Sequence, residues 1–169
     1  MNAKQKNLIL MVGCPGSGKS SWLEKNFVPD RDYIISRDAI RFSIINDEDE
    51  YFAKEDEVFS TWVRYIQESI DNPEVPENIY CDATHITEGS RNKLLNALDL
   101  TNVKNISCIV LRPSLEDTLE RNEKRTGRAY VPRSVIRRMY YQFERPEYDT
   151  KYPKDVKYVE VPKSWEKSI

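Results

Sequence analysis

The stretch Gly13-Cys14-Pro15-Gly16-Ser17-Gly18-Lys19-Ser20 matches the pattern G-x-x-x-x-G-K-[ST] at every position. A continuous apolar run at residues 7–12 precedes it and has the character of a buried parallel strand. Residues 20–25 can continue as a helix after the loop. A strand, a glycine-rich loop and a helix in this order aim backbone N–H groups and a helix N-terminus at an anion. The sequence therefore predicts a P-loop that binds the phosphates of a nucleoside triphosphate.

Each residue type in the loop has a separate chemical reason. The glycines let the backbone curl around phosphate oxygens where a Cβ atom would clash or forbid the dihedral angles. Lys19 places a positive charge near the β- and γ-phosphates, and the hydroxyl of Ser20 can bind Mg²⁺. A glycine-rich turn that binds nothing is disfavoured, because the motif and its flanking elements agree. We expect the whole loop to contact ATP: Gly13, Cys14, Pro15, Gly16, Ser17, Gly18, Lys19 and Ser20.

The composition is that of one soluble globular domain. A chain of 169 residues with 39% hydrophobic and 32% charged residues can bury a core under a charged surface. No apolar run approaches the ~20 residues of a membrane span, and residues 1–6 lead directly into the first strand, so we expect neither a membrane anchor nor a secretory signal. The three cysteines, Cys14, Cys81 and Cys108, are scattered without metal-ligand spacing, which favours free thiols in a reducing cytoplasm.

The net charge of −2 hides a strong segregation of charge. Residues 47–50 and 55–57 are acidic, and a basic segment follows later in the chain. Charge runs are usually solvated helix faces. A basic segment in a chain with a P-loop is also suited to phosphates of the nucleotide, of the acceptor, or of both. Its members are Arg121, Lys124, Arg125, Arg128, Arg133, Arg137 and Arg138.

The hydrophobic patterns predict alternating strands and helices. Strands are expected at residues 7–12, 33–35, 78–82, 104–111 and 156–161, and helices at 20–25, 38–44, 52–70, 87–98, 114–124 and 132–143. This alternation implies an α/β fold with a parallel sheet of about five strands and helices on both faces. The basic helix pair at about 121–143, with a glycine-containing break, lies where a kinase-like fold places an arginine-bearing helical lid.

Phosphoryl transfer needs a carboxylate that accepts the proton of the acceptor hydroxyl and positive charge on the transferred group. Asp38 follows the second strand and can be that base, or it can cap the helix that it starts. Arg41, three residues later, shares its helix face. Asp82 ends the third strand and can support a magnesium site, or serve as a cap or turn residue. His85, the single histidine, is left without a role.

Three arginines of the expected lid are candidates for the positive charge. Arg121, Arg125 and Arg128 are spaced four and three residues apart, which also describes a solvated helix edge. An arginine that reaches the transferring phosphoryl group accelerates such reactions by roughly 10³–10⁵. With a P-loop in the same chain, we expect at least one of them to act on the nucleotide.

Taken together, these motifs resemble the phage-type 5′-hydroxyl polynucleotide kinase domain of the P-loop kinase superfamily. The similarity extends over residues 8–141, and its elements occur in that family's order. They are the P-loop, Ser36-Arg37-Asp38 with Arg41, Cys81-Asp82-Ala83-Thr84, Arg121-Asn122-x-x-Arg125, and Val131-Pro132 before Arg138-Met139-Tyr140.

The resemblance implies roles for individual residues. Lys19, Asp38 and Arg125 would be catalytic, with Asp38 as the general base on the 5′-hydroxyl and Arg125 on the transferring phosphoryl group. Arg41 would hold the neighbouring phosphate of the acceptor, and Asp82 would support the acceptor site. The lid arginines that would bind the nucleotide are Arg121 and Arg128, and the metal ligand would be Ser20.

The acceptor expected from the resemblance is the 5′-OH end of DNA or RNA, with ATP and Mg²⁺ as the other reactants. Nothing in this sequence resembles the motif of the family's phosphatase domain, so if the chain is complete we expect only addition of phosphate. Related P-loop kinases phosphorylate nucleotide sugars, antibiotics or aminoacylated tRNA. A small-molecule kinase and a non-catalytic ATP-binding module therefore remain as alternatives, and protein partners stay open.

Overall fold

The computed structural model describes residues 4–167. Its core is a five-stranded sheet in the order β2-β3-β1-β4-β5, in which every neighbouring pair of strands is parallel. The strands are β1 (Lys6–Val12), β2 (Asp32–Ser36), β3 (Asn78–Asp82), β4 (Val103–Leu111) and β5 (Asp155–Val159). The predicted α/β fold with a parallel sheet is confirmed.

Six α-helices connect and cover the strands: α1 (Lys19–Asn26), α2 (Arg37–Ile44), α3 (Glu55–Asp71), α4 (Glu88–Asn96), α5 (Leu115–Glu123) and α6 (Arg133–Gln142). Short 3₁₀ turns occupy Gly127–Ala129, Pro146–Tyr148 and Lys163–Lys167. The third helix begins three residues later than predicted. Its first turn carries three acidic residues, which a helix N-terminus favours, whereas the residues before it form turns.

Helices cover both faces of the sheet, and β1 shows why its sequence is apolar throughout. Leu8 and Leu10 pack on one face with residues of α3 and α4. Ile9 and Met11 point to the other face, where Trp22 of α1 packs. A central strand with both faces buried needs hydrophobic residues at every position.

The apolar residues of α6 divide between two surfaces. The apolar side chains Val135, Ile136, Met139 and Tyr140 are spaced to share one side of the helix. In the structure Ile136 is fully buried, whereas Val135 and Met139 line an open cleft. At 100° per residue, positions 135 and 139 form a strip beside positions 136 and 140, so one apolar stripe can serve the core and a cleft. Within residues 4–167 no helix has the length and apolar composition needed to cross a membrane.

Candidate active site

A cleft of about 1410 Å³ opens at the carboxyl edge of the sheet. The P-loop and the start of α1 form one wall, and the start of α2 with residues 45–55 forms the second. Residues 124–132, together with α6, form the third wall, which we call the lid. Small-molecule sites usually measure about 300–1,000 Å³, so this cleft has room for a nucleotide and an acceptor side by side.

The P-loop has the backbone geometry that its motif predicts. Gly16 and Gly18 have φ angles of 84° and 98°, in the region that glycine alone adopts readily. Lys19 folds back over the loop, and its ammonium group donates to the carbonyl oxygens of Gly13 at 2.7 Å and Cys14 at 3.1 Å. Burial lowers the pKa of Lys19, although the nearby carboxylate of Asp82 opposes that change. A phosphate placed in the loop would provide a counter-charge for this lysine.

Buried polar atoms without partners among the described residues lie in the P-loop and in the segment that leads into the lid. The hydroxyl of Ser17, Nε of Arg121 and Nη1 of Arg125 are buried and have no hydrogen-bond partner within residues 4–167. All three residues line the cleft. A buried donor without a partner is costly, so this arrangement fits an anion that supplies the acceptors. The loop also fits Mg²⁺, because the hydroxyl of Ser20 and the carboxylate of Asp82 are both cleft groups, and magnesium between phosphates needs only one or two protein oxygens.

Asp38 lies in the first turn of α2, where its carboxylate lines the cleft. The N-cap of this helix is Ser36, whose hydroxyl accepts a hydrogen bond from the backbone N–H of Ala39 at 3.1 Å. The alternative role of Asp38 as the cap is therefore wrong. Its side chain is 47% exposed and accepts hydrogen bonds from Arg41 and from the hydroxyl of Tyr51. These two donors hold a solvent-accessible carboxylate in one orientation.

Arg41 is the buried centre of a charged network that joins α2 to α3. Its guanidinium donates to both carboxylate oxygens of Glu55, at 2.9 and 2.8 Å, and to the hydroxyl of Tyr51 at 2.8 Å. Arg37 donates to the same glutamate. Although burial works against its charge, hydrogen bonds to Glu55 raise the pKa of Arg41 above its ordinary value. The terminal nitrogens of Arg41 thus have intramolecular partners. The contact with an acceptor phosphate that the resemblance implies stays a prediction.

Asp82 and His85 follow β3 but have different surroundings. Burial raises the pKa of Asp82, against the effect of the nearby Lys19, and its carboxyl group lines the cleft. His85 is 3% exposed, stacks on Trp62 with ring centroids 5.5 Å apart, and donates from Nδ1 to the carbonyl oxygen of Met11 at 2.9 Å. Burial lowers the pKa of His85 to about 3. His85 is therefore a neutral core residue.

The three lid arginines diverge in space. Arg121 donates from Nη2 to the carbonyl oxygen of Pro162 at 2.9 Å, beside the P-loop wall. Arg125 lines the cleft with the unpartnered Nη1 described above. Arg128 reaches across the cleft to α2, where it donates to the carbonyl oxygens of Phe42 at 3.2 Å and Ile45 at 3.3 Å. Arg128 therefore has partners on the second wall, whereas the sequence predicted a contact with the nucleotide.

Sequence reasoning missed several cleft residues. Glu55 was assigned to a solvated acidic face, and Tyr51 received no role, yet both bind Arg41. Their contact joins residues 10 and 14 positions apart on different elements, for which no local periodicity gives a signal. Trp165, after β5, also lines the cleft. Cys14 is buried, and burial raises the pKa of its thiol, so the P-loop does not stabilise a thiolate.

Comparisons with known proteins agree with this architecture. The sequence model of the family described as AAA domain matches residues 8–146. A chain in the structure of the Pnkp1/Rnl/Hen1 RNA repair complex is similar to this one, with 24% identity and a TM-score of 0.69 over 83% of this chain. The match covers 45% of that chain, so this protein spans less than half of its length.

Two further solved structures match over nearly the whole chain. A gluconokinase from Sinorhizobium meliloti 1021 has 21% identity and a TM-score of 0.55, with coverage of 94% of this chain and 86% of that one. Kti12 from Chaetomium thermophilum, solved with ADP-AlF3, has 17% identity and a TM-score of 0.56, with coverage of 95% and 94%. These similarities establish the P-loop kinase-like fold, which implies nucleotide binding and confirms the resemblance at the level of the fold.

Proposed function

The chain belongs to the AAA domain family, and from this premise we propose that it transfers the γ-phosphate of ATP to the 5′-hydroxyl end of DNA or RNA. One observation carries the proposal. A single cleft joins a P-loop and an arginine with a buried, unpartnered nitrogen to an accessible carboxylate, Asp38, in the first turn of the helix that follows β2. Phosphoryl transfer to a hydroxyl requires this combination of groups.

The residues divide the reaction between them. The P-loop N–H groups and Lys19 hold the β- and γ-phosphates, and Arg125 stabilises charge on the transferring group. The carboxylate of Asp38 takes the proton of the acceptor hydroxyl while the hydroxyl oxygen of the acceptor forms a bond to the γ-phosphorus. The bond from that phosphorus to the bridging oxygen breaks, and ADP leaves with the electron pair. Ser20, with Asp82 nearby, would hold Mg²⁺, which when bound would neutralise part of the phosphate charge.

Arg41 and Tyr51 act as positioning residues in this scheme. Both donate to the carboxylate of Asp38, and Glu55 fixes the guanidinium of Arg41 in turn. A general base must lie within hydrogen-bond reach of the proton that it removes, so a carboxylate with a fixed orientation suits the role. The network leaves Asp38 accessible from the cleft, where the acceptor would bind.

The 5′-hydroxyl acceptor is supported by the fold similarity to a chain of an RNA repair complex and by the size of the cleft. A small sugar-like acceptor is the second candidate. Carboxylates of Asp47, Asp49 and Glu55 line the second wall and would repel a polyanion, and a gluconokinase shares the fold over most of the chain. The two candidates use the same P-loop and the same base, and they differ in the molecule that meets Asp38.

The first experiment measures transfer of labelled γ-phosphate from ATP to a short single-stranded oligonucleotide with a free 5′-hydroxyl. An oligonucleotide of the same sequence that already carries a 5′-phosphate is the control. Label on the first alone supports the proposal. Binding of ATP without label on any DNA or RNA would contradict the 5′-hydroxyl acceptor and favour a small molecule.

The Asp38→Asn variant tests the mechanism. We expect transfer to fall by at least about 10²-fold, because a general base contributes roughly 10²–10⁴, while the Kd for ATP stays within about twofold of the wild-type value, since Asp38 does not belong to the P-loop wall. Asp56→Asn removes an exposed carboxylate outside the cleft and should retain wild-type transfer. Near-normal turnover of the Asp38 variant would rule out this base.

A further inference from the structure

Three aromatic side chains lie together on the second wall of the cleft, next to Asp38: Phe42, Tyr51 and Phe52. We call them the aromatic shelf. Phe42 and Tyr51 make an edge contact with ring centroids 6.2 Å apart, and Tyr51 and Phe52 make another at 4.7 Å and 88°. Phe52 is nevertheless 66% exposed. Although Tyr51 and the guanidinium of Arg41 contact the Phe52 ring, most of its surface stays accessible to a ligand.

The shelf is fixed to the proposed base. Tyr51 donates its hydroxyl to Asp38 and accepts from Arg41. The guanidinium of Arg41 lies 4.1 Å from the centroid of Tyr51 and 5.7 Å from that of Phe52. A cation at the rings and a hydrogen bond at Tyr51 hold the shelf in place. A group seated on Phe52 would therefore be placed at a defined distance from the carboxylate that accepts the proton.

The arginines that face this wall, Arg37 and Arg41 of α2 and Arg128 of the lid, are already paired with carboxylates. Glu55 pairs with both Arg37 and Arg41, and Asp47 pairs with Arg128. A phosphate at this wall would have to compete with carboxylates that are in place. The wall thus offers an acceptor an exposed aromatic face beside arginines that are paired with carboxylates, although Nε of Arg37 and Nε of Arg41 have no hydrogen-bond partner within residues 4–167.

We infer that Phe52 stacks against the terminal nucleobase of the acceptor, so that this site recognises the end nucleotide by its ring more than by its phosphates. This inference rests on the proposed function, because it assumes a nucleic acid end. A planar base covers an exposed phenyl face well, and base–aromatic stacking tolerates every base because each one has a π-face. Stacking would bring the 5′-hydroxyl of the same nucleotide towards Asp38.

The test removes the phenyl ring of Phe52 and the terminal nucleobase of the acceptor, separately and together. Phe52→Ala and Phe52→Tyr are compared with the wild type on a 5′-hydroxyl oligonucleotide and on the same oligonucleotide with an abasic tetrahydrofuran residue at its 5′ end. We expect Phe52→Ala to raise the KM for the intact oligonucleotide by about tenfold, within the range measured for aromatic stacking. The KM for the abasic oligonucleotide should not change, and Phe52→Tyr should remain near the wild type. Phe27→Ala removes another exposed phenylalanine, outside the cleft, and is the matched control.

The outcomes separate the inference from the proposed function. If the wild type phosphorylates the oligonucleotide, the proposed function is supported. If Phe52→Ala then impairs transfer to the intact and the abasic oligonucleotides equally, or to neither, stacking of Phe52 on the nucleobase is overturned. Absence of wild-type transfer to any oligonucleotide overturns both. A KM increase of Phe52→Ala that is confined to a sugar-like acceptor such as gluconate would overturn nucleobase stacking and assign the shelf to a small-molecule acceptor. Retained ATP affinity and an unchanged thermal unfolding midpoint show that Phe52→Ala is folded.

Discussion

His85 shows at the scale of one residue how burial decides the role of a titratable side chain. Its imidazole stacks on Trp62, and its Nδ1 donates to the end of β1. Its backbone has a φ angle of 48°, which few residues other than glycine and asparagine adopt readily. Burial lowers the pKa of His85 from its ordinary value of 6.5 to about 3. The sequence left this histidine without a role, and the structure places it in the core.

The pKa of His85 predicts a pH dependence of stability. Between pH about 6.5 and about 3 the unfolded chain binds a proton that the folded chain excludes. Protonation of His85 therefore does not reduce the free energy of unfolding above pH about 6.5, and it lowers this free energy by about 1.4 kcal/mol per pH unit below that value. We expect the free energy of unfolding to drop by about 2 kcal/mol more in the wild type than in His85→Asn between pH 7 and pH 5.

Urea unfolding of both proteins at the two pH values measures this difference. Asparagine keeps the positive φ angle accessible, so the comparison isolates the titration from backbone strain. Carboxylates that titrate in the same range contribute equally to both proteins and cancel. Parallel curves for wild type and His85→Asn would show that His85 protonates in the folded state near its ordinary pKa.

At the scale of elements, Arg128 connects the lid to α2. Besides the carbonyl oxygens of Phe42 and Ile45, it pairs with Asp47, and its guanidinium lies 5.2 Å from the ring of Phe42. The last carbonyl groups of a helix lack partners within the helix, and a cation is favourable there. The contact closes the cleft opposite the P-loop, so it couples the position of the lid to the helix that carries Asp38.

We expect Arg128→Gln to favour an open lid. The variant loses a charge-assisted contact, although partial exposure to solvent screens it. Chymotrypsin should then cleave faster at Tyr130, which is 41% exposed in the lid. The kcat for transfer should fall by roughly 3- to 10-fold, equivalent to about 0.7–1.4 kcal/mol. Arg128→Lys keeps the charge without the planar fork and should give an intermediate result.

Arg133→Gln is the control for this experiment. Arg133 pairs with Glu123, so both partners lie in or beside the lid and the pair does not cross the cleft. Its loss should leave the chymotrypsin rate and kcat unchanged. Equal protection of Tyr130 in Arg128→Gln and wild type would mean that the lid stays closed without this arginine.

At the scale of the whole molecule, charge is arranged asymmetrically around the cleft. Lys19, Arg121 and Arg125 carry positive charge at the P-loop side without a carboxylate of the described residues in contact, whereas Arg37 and Arg41 of the second wall pair with Glu55. The Nε atoms of both second-wall arginines nevertheless have no partner within residues 4–167. The net charge of the whole chain is only −2. The nucleotide half of the cleft therefore suits a polyanion, and the acceptor half suits a group of lower charge density.

This asymmetry predicts a shallow salt dependence for the acceptor. In assays with saturating ATP, the logarithm of KM for a 5′-hydroxyl oligonucleotide should rise against the logarithm of KCl concentration with a slope of about 0.7, corresponding to one phosphate contact. A slope of about 2 or more would show that several arginines leave their carboxylates to bind phosphates. A zero slope for an equally good neutral acceptor would favour the small-molecule candidate.

The sequence predicted the fold and the position of the P-loop between its strand and its helix. The P-loop motif and the apolar run before it are local signals, because phosphate binding uses consecutive backbone groups. The hydrophobic pattern of each segment predicts whether it is a strand or a helix, and the alternation of strands and helices predicts a parallel sheet. The carboxyl edge followed from this topology, and it brought Asp38 and Asp82 into the cleft with the P-loop, as expected.

The acceptor half was decided by tertiary contacts. Ser36 and not Asp38 caps α2, and the carboxylate of Glu55 accepts hydrogen bonds from the guanidinium of Arg41. Arg128 turns towards the end of α2. An arginine is long and flexible and binds whichever acceptor the fold brings within reach. The sequence therefore determined which charged side chains this protein has. Only the packing of α2, α3 and the lid decided which of these side chains pair with each other and which stay accessible in the cleft.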